Sequence, residues 1–211
     1  MNVQTQYFSI AGAAGPLECA LDLPDATAFA TPRGIAFVAH PHPLFGGTMD
    51  NKVVHTLVRA FLALGYVAYR MNFRGVGKSD GVHDEGRGET DDMALLLTHA
   101  QQSYPGLPFA LAGFSFGTFV QAQLQQRLSA AGMPAERLVL VGCAAGKWAV
   151  PEVPPDTIVI HGELDDTIPL TAVFDWARPQ DLPIIVIPGA DHFFHRKLQH
   201  IKNFVVEMWR R

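Results

Sequence analysis

Residues 109–117 read Phe-Ala-Leu-Ala-Gly-Phe-Ser-Phe-Gly, an apolar run that ends in a G-x-S-x-G pentapeptide. A helical pattern follows at 116–131. A sharp turn from a strand into a helix would hold Ser115 in a strained backbone conformation and lift its hydroxyl above the sheet. The pentapeptide alone is a weak signal in a chain with 19 glycines. Its place between a strand and a helix is what predicts a nucleophilic serine.

Apolar runs typical of buried strands recur on both sides of this stretch. They lie at 35–39, 66–72, 109–114, 138–141, 157–161 and 184–187. Helical patterns lie at 51–64, 90–103, 116–131 and 195–209, and Thr90 is the expected cap of the second. This alternation predicts a mostly parallel sheet with helices on both faces.

Two further strand-like runs, 3–10 and 16–23, come first and have no helix between them. A glycine-containing turn at 11–15 joins them, which predicts an antiparallel start to the sheet. With 211 residues the chain can build one sizeable core. We therefore expect a single domain over 1–211.

The composition narrows the class of protein. Apolar residues make up 48% and charged residues 17%, which is typical of a folded globular chain. The net charge of −4 gives no reason to expect a nucleic acid or an anionic membrane as a partner. No signal peptide or membrane-spanning run is evident, and Cys19 and Cys143 are expected to be buried, reduced thiols. These features predict a cytoplasmic protein that is a monomer or small homo-oligomer.

Two later loops carry an acid and a base for the serine. Asp165 and Asp166 follow one predicted strand, and His192 follows the last one. A serine hydroxyl needs a base, and an imidazole base needs a carboxylate to hold its tautomer. Only one of two adjacent aspartates can point into a site. Asp165, three residues after Gly162, is preferred as the acid, and Asp166 is interpreted as a turn or cap residue. His192 is chosen as the base over His195, which begins the predicted final helix.

The loop at 40–51 lies between a buried strand and a helix, where an oxyanion-binding N–H is expected. The residue after the nucleophile, Phe116, supplies a second N–H. The prolines on either side of His42 have no N–H, so His42 is chosen as the first donor and Leu44 is the fallback.

Two patterns have competing interpretations. His40 and His42 form the spacing of a metal site, but no carboxylate or cysteine set accompanies them, so His40 is expected to brace the loop through buried hydrogen bonds. The glycine-rich stretch 74–79 lacks both the spacing of a P-loop and the third glycine of a dinucleotide site. We therefore expect no metal and no cofactor.

With these motifs the chain resembles the α/β-hydrolase superfamily over essentially its whole length. Ser115, Asp165 and His192 fall on the triad motifs, so the resemblance also favours Asp165 over Asp166. The stretch 72–79 is similar to the arginine–glycine loop after the fourth strand. The segment 40–54 is similar to that of small bacterial hydrolases related to dienelactone hydrolases. The resemblance implies an eight-stranded sheet with an antiparallel second strand. Relatives with true dienelactone activity carry a cysteine nucleophile, so Ser115 indicates ester hydrolysis instead.

Many members of that superfamily insert a helical cap between the sixth and seventh strands. Here the connection is the 14 residues 143–156, three of them proline. This is too short for a cap domain, so we expect an open site that takes small or short-acyl esters. A thioesterase, acyltransferase or peptidase with the same triad is an alternative, and a non-catalytic binding protein is a weaker one. An interaction protein is a third alternative, although the aromatic residues of the final helix, among them Phe204, are expected to face the core.

Overall fold

The computed structural model describes residues 5–209. Its strands are β1 (Gln6–Gly12), β2 (Gly15–Asp22), β3 (Gly34–Ala39), β4 (Tyr66–Met71), β5 (Phe109–Phe114), β6 (Arg137–Val141), β7 (Ile158–Gly162) and β8 (Ile184–Ile187). They form one sheet in the order β1-β2-β4-β3-β5-β6-β7-β8. β2 is antiparallel to both of its neighbours, and every pairing from β4 to β8 is parallel. The predicted mostly parallel sheet of eight strands is confirmed.

Within residues 5–209, five α-helices cover the two faces of the sheet. They are α1 (Lys52–Ala63), α2 (Arg87–Ser103), α3 (Phe116–Ala130), α4 (Leu170–Ala177) and α5 (Leu198–Trp209). The apolar residues of α1 and α5 pack in one cluster with one face of the sheet, and those of α2, α3 and α4 pack with the other. Within β3, Phe37 faces the second cluster and Val38 the first, because successive side chains of a strand point to opposite faces. A strand that packs against apolar clusters on both faces therefore needs apolar residues at successive positions.

The first hairpin is tighter than predicted. Gly12 pairs with Gly15, so the turn has two central residues instead of five at 11–15. Gly15 has φ +125°, a conformation that favours glycine and permits the tight turn. Residues 3 and 4 of the first predicted strand lie outside the described residues.

The prediction that Thr90 caps the second helix is wrong. α2 begins at Arg87, after Gly86 at φ 92°. The buried carboxylate of Glu89 accepts the N–H groups of Asp84 and Gly86 at 2.9 and 2.8 Å. The glutamate thus accepts N–H groups at the start of the helix that would otherwise have no partner. Thr90 lies inside the helix, where its hydroxyl donates to the carbonyl of Gly86 at 2.6 Å.

The last third of the chain differs in three places. α4 was not predicted between the last two strands, and α5 begins at Leu198 instead of His195. The reason for the late start is that Phe194 and Arg196 have φ of 54° and 60°, which a right-handed helix cannot contain. Phe204 is 38% exposed, so its predicted place on the core face is wrong, while its neighbour Val205 is buried.

The connection from β6 to β7 contains no helix, which leaves the carboxyl edge of the sheet without a cap from this segment. Cys19 and Cys143 are buried and free, as predicted. Burial raises the pKa of each thiol to about 12. Between residues 5 and 209 no helix is long and apolar enough to cross a membrane.

Candidate active site

The turn between β5 and α3 holds Ser115 in the conformation expected of a strained elbow. Its φ is 54° and its ψ is −123°, and its N–H donates to the carbonyl of Val141 at 3.0 Å. A non-glycine residue in such a conformation costs on the order of 1–3 kcal/mol. The surrounding sheet holds the turn in place, and the side chain emerges at the carboxyl edge with the residue 8% exposed.

The two glycines of the pentapeptide are explained by close backbone contacts. A Cβ on Gly113 would clash with the backbone oxygen of Gly117, and a Cβ on Gly117 would lie 2.5 Å from the oxygen of Ala39. Only glycine lets the first turn of α3 approach the ends of β5 and β3 this closely. The backbone conformation of the elbow therefore depends on the close contacts at Gly113 and Gly117 as well as on Ser115.

The structure brings together the three residues predicted for the triad. The Ser115 hydroxyl lies 3.0 Å from Nε2 of His192, and Nδ1 of His192 lies 2.7 Å from Oδ2 of Asp165. All three residues are buried. They come from the loops after β5, β7 and β8, which end at the same edge of the sheet because these strands are parallel.

Asp165, and not Asp166, orients the histidine. Its Oδ1 accepts the N–H groups of Thr167 and Ile168 at 3.0 and 2.7 Å, which leaves Oδ2 for His192. Burial alone would raise the pKa of Asp165, but the hydrogen bonds from His192 and Ile168 outweigh it, so the pKa lies below its usual value. Asp166 is exposed, 3.4 Å from the Thr167 hydroxyl.

The imidazole of His192 is held from two sides. Its ring packs on Phe114 and on Phe193, with centroids 5.1 Å apart in each case. The rejected alternative, His195, is exposed and pairs with Asp191 at 2.6 Å. Packing and the Asp165 hydrogen bond together fix the ring plane that faces the serine.

The side chains of the two residues predicted as oxyanion donors, Phe116 and His42, pack against each other. Phe116 is the first residue of α3, where a backbone N–H has no intrahelical partner. Its ring lies 4.9 Å from that of His42. In the described part of the chain the N–H of His42 has no acceptor, whereas the N–H of Leu44 donates to Nδ1 of His42 at 3.2 Å. The geometry therefore favours His42 over the fallback.

His40 braces this loop and cannot serve as a metal ligand. It is fully buried, its Nδ1 donates to the carbonyl of Pro41 at 2.6 Å, and its Nε2 accepts the N–H of Phe73 at 2.9 Å. Burial lowers the pKa of His40 to about 3, so the ring is neutral. No cluster of three or more His, Cys, Asp or Glu side chains within 5–209 could hold a metal ion.

Polar groups in and around the glycine-rich stretch 74–79 are bonded within the protein. Arg74 makes a two-pronged pair with the buried carboxylate of Asp92 at 2.8 and 2.9 Å. Glu18 accepts the N–H of Lys78 and the amide of Asn72 at 2.9 and 2.8 Å. These bonds use the polar groups that a phosphate would otherwise contact.

Sequence reasoning missed two histidines beside the site. His161 is buried, donates from Nε2 to the carbonyl of Ile168 at 2.9 Å and lies 3.4 Å from Oδ2 of Asp165. His83 lies in the loop before α2, with its ring 5.3 Å from that of Phe116. His161 ends a predicted strand, and this position could have indicated that it lies at the same edge of the sheet as the site. No local pattern marks His83.

Comparison with known proteins agrees with this geometry. A family model described as serine aminopeptidase, S33, matches residues 31–185, a range that contains Ser115 and Asp165 and ends before His192. The solved structure of an α/β serine hydrolase without a lid from Xanthomonas campestris has a TM-score of 0.91 and 34% identity, and the match covers 100% of this chain and 96% of that one.

Two protein sequences are also similar. An uncharacterised protein of Rickettsia prowazekii is 32% identical over 184 residues, which are 81% of this chain and 76% of that protein. A lysophosphatidylserine lipase of Danio rerio is 34% identical over 106 residues, 48% of this chain but only 28% of the lipase. The elbow, the fold and these matches show that the chain belongs to the α/β serine hydrolases of the family described as serine aminopeptidase, S33.

Proposed function

We propose that the protein hydrolyses small or short-acyl carboxylic esters through an acyl-enzyme formed on Ser115. The observation that carries this proposal is the unbroken line of hydrogen bonds from the Ser115 hydroxyl through His192 to Asp165. A buried serine on a strained turn, in contact with an imidazole whose other nitrogen binds a carboxylate, is an arrangement suited to nucleophilic acyl transfer.

The first half of the reaction forms the acyl-enzyme. Nε2 of His192 takes the Ser115 proton as Oγ attacks the carbonyl carbon, and Asp165 stabilises the resulting imidazolium. The negative charge on the carbonyl oxygen is bound by the N–H groups of Phe116 and His42. The bond to the leaving oxygen then breaks, and His192 gives its proton to the departing alcohol.

The second half repeats these roles with water. His192 takes a proton from a water molecule, which attacks the acyl carbon, and the same two N–H groups bind the oxyanion. The bond to Ser115 breaks, the proton returns to its oxygen, and the acid leaves. Apart from the ester and water, the steps of both halves use only residues of the chain.

The choice of an ester over a peptide rests on the charges near the site. An aminopeptidase has to bind the ammonium group of its substrate, which calls for a free carboxylate. The carboxylates that touch histidines of the site are already bonded, Asp165 to His192, Glu89 to His83 and Asp191 to His195, and the exposed Asp166 accepts from the Thr167 hydroxyl. The similarity to a lipase over 106 residues also supports an ester substrate. The helix-free connection after β6 supports small substrates at an open site.

A substrate panel tests this proposal. The wild type is assayed with p-nitrophenyl acetate and butyrate, with butyryl-CoA, and with alanine p-nitroanilide, beside Ser115→Ala. We expect kcat/KM to be highest for the short esters and turnover to vanish in the variant. Faster cleavage of the anilide would make the protein a peptidase, and faster cleavage of the CoA compound a thioesterase.

We also propose that this reaction takes place in the cytoplasm, where the two free thiols would stay reduced.

A further inference from the structure

Four rings from the loops after four adjacent strands meet beside the oxyanion loop. They are His83 after β4, His42 after β3, Phe116 after β5 and Trp148 after β6. The centroid of His42 lies 4.7 Å from His83, 4.9 Å from Phe116 and 5.6 Å from Trp148. Phe116 is buried, and the other three are partly exposed. We call this set the ring cluster.

The ring cluster lies where the acid part of an ester would extend. His192 must reach the leaving oxygen to protonate it, so the alcohol part lies on the side of the β8 loop. The acyl group then points away from His192, toward the loops of β3, β4 and β6. Phe45, 86% exposed, packs on His42 with centroids 4.8 Å apart and extends the apolar surface outward.

A buried carboxylate fixes the orientation of His83. Oε1 of Glu89, a residue with 0% exposure, lies 3.0 Å from Nδ1 of His83. The side chain of His83 is 10% exposed, and its Nε2 has no hydrogen-bond partner among residues 5–209. When the Nδ1–H donates to Glu89, the neutral form of the ring presents Nε2 as an acceptor.

His42 has the opposite tautomer. Its Nδ1 accepts the N–H of Leu44, so the neutral ring carries its proton on Nε2 as a donor. Burial lowers the pKa of His42, which keeps the ring neutral. The two rings thus offer one donor and one acceptor. A single hydroxyl that reaches both Nε2 atoms would accept from His42 and donate to His83.

We propose that the ring cluster binds the acid part of the substrate and selects a hydroxyl-bearing aromatic acid through Nε2 of His42 and Nε2 of His83. This inference rests on the proposed ester hydrolysis. Stacking on Trp148 would hold the flat ring of such an acid. A surface built to bind a hydroxyl discriminates against an analogue that cannot donate, because the acceptor nitrogen is then left unpaired.

The test compares ethyl 4-hydroxybenzoate with ethyl 4-methoxybenzoate, which have similar reactivity toward nucleophiles but differ in the ability to donate. We expect the wild type to favour the hydroxy ester by about 10-fold in kcat/KM, the worth of one well-placed hydrogen bond. His83→Phe keeps a ring and removes the acceptor, so the ratio should fall to near one. His195→Phe removes another carboxylate-paired histidine, outside the ring cluster, and should keep the preference.

A measurement on the wild type alone guards against a misfolded variant. Inhibition of p-nitrophenyl acetate hydrolysis by 4-hydroxybenzoate should be about 10-fold stronger than inhibition by 4-methoxybenzoate. Equal inhibition, or a preference that survives His83→Phe, would overturn this inference while leaving the esterase proposal in place. Failure to hydrolyse p-nitrophenyl acetate would instead remove the esterase proposal and this inference with it.

Discussion

The carboxylate of Asp165 is divided between two tasks: Oδ2 lies 2.7 Å from Nδ1 of His192, and Oδ1 accepts the N–H of Ile168 at 2.7 Å. The backbone bond fixes the carboxylate in its loop, and the other oxygen fixes the tautomer of the base. The orientation of the triad thus depends on a turn of a few residues after β7.

Replacing this carboxylate by an amide tests the division of tasks. In Asp165→Asn the amide keeps the shape of the side chain but offers an N–H where His192 needs an acceptor, so the wrong tautomer is favoured. We expect kcat for p-nitrophenyl butyrate to fall by about 10³–10⁴. Asp166→Asn, one residue away and exposed, is the matched control and should remain within about twofold. Equal effects of the two changes would contradict the assignment of Asp165.

The oxyanion role of His42 rests on its N–H and can be separated from its side chain. The φ of His42 is −55°, which proline adopts without strain. His42→Pro removes the N–H and the imidazole, whereas His42→Ala removes the imidazole alone. We expect kcat of the proline variant to be about 10²–10³ below that of the alanine variant. Equal kcat values for the two variants would show that the donor is another group.

Backbone strain at Ser115 predicts that relieving its positive φ raises the free energy of unfolding. Ser115→Gly and Ser115→Ala both lose the hydroxyl, but only glycine relieves the φ of 54°. The glycine variant should have a free energy of unfolding about 1 kcal/mol above that of the alanine variant in urea titrations. An alanine variant at least as stable as the glycine variant would mean that the elbow stores no strain.

The buried neutral ring of His40 predicts a pH dependence of stability. Its pKa is about 3 in the folded protein, against about 6.5 in an unfolded chain, so the unfolded state binds one more proton between these values. Stability from this residue is full above pH 6.5 and is lost as the pH falls, by about 1.4 kcal/mol per pH unit.

His40→Gln carries no proton to titrate. Its free energy of unfolding, measured in urea from pH 7 to pH 4, should fall less steeply with falling pH than that of the wild type, by about that slope. The difference in slope is the readout, since the substitution also removes the hydrogen bonds of the buried ring and so changes stability independently of pH. Parallel curves would contradict a neutral His40.

The triad could be predicted because each member follows a strand that is visible in the sequence. Parallel strands bring their carboxyl ends to one edge, so Ser115, Asp165 and His192 had to lie near one another. The choice of His42 followed from the prolines around it. These predictions needed only local patterns and one rule of sheet topology.

The features that could not be predicted from the sequence depend mainly on contacts between distant segments. The start of α2 is set by Glu89, three residues inside the helix, which draws in the loop before it. The same carboxylate positions His83, whose place beside Phe116 follows from the packing of the loops after β4 and β5. No spacing along the chain reports such a contact. Likewise, the late start of α5 follows from two residues with positive φ that no local pattern marks.

The most direct test of the central claim is labelling by a fluorescent fluorophosphonate, which reacts only with an activated serine. Folded wild type, Ser115→Ala and His192→Ala are incubated with the probe, and the label on each protein is measured. An assembled Ser115–His192–Asp165 triad predicts strong labelling of the wild type and none of either variant. A folded wild type that stays unlabelled would contradict the claim that Ser115 is an activated nucleophile, and a non-catalytic binding protein would become the better account.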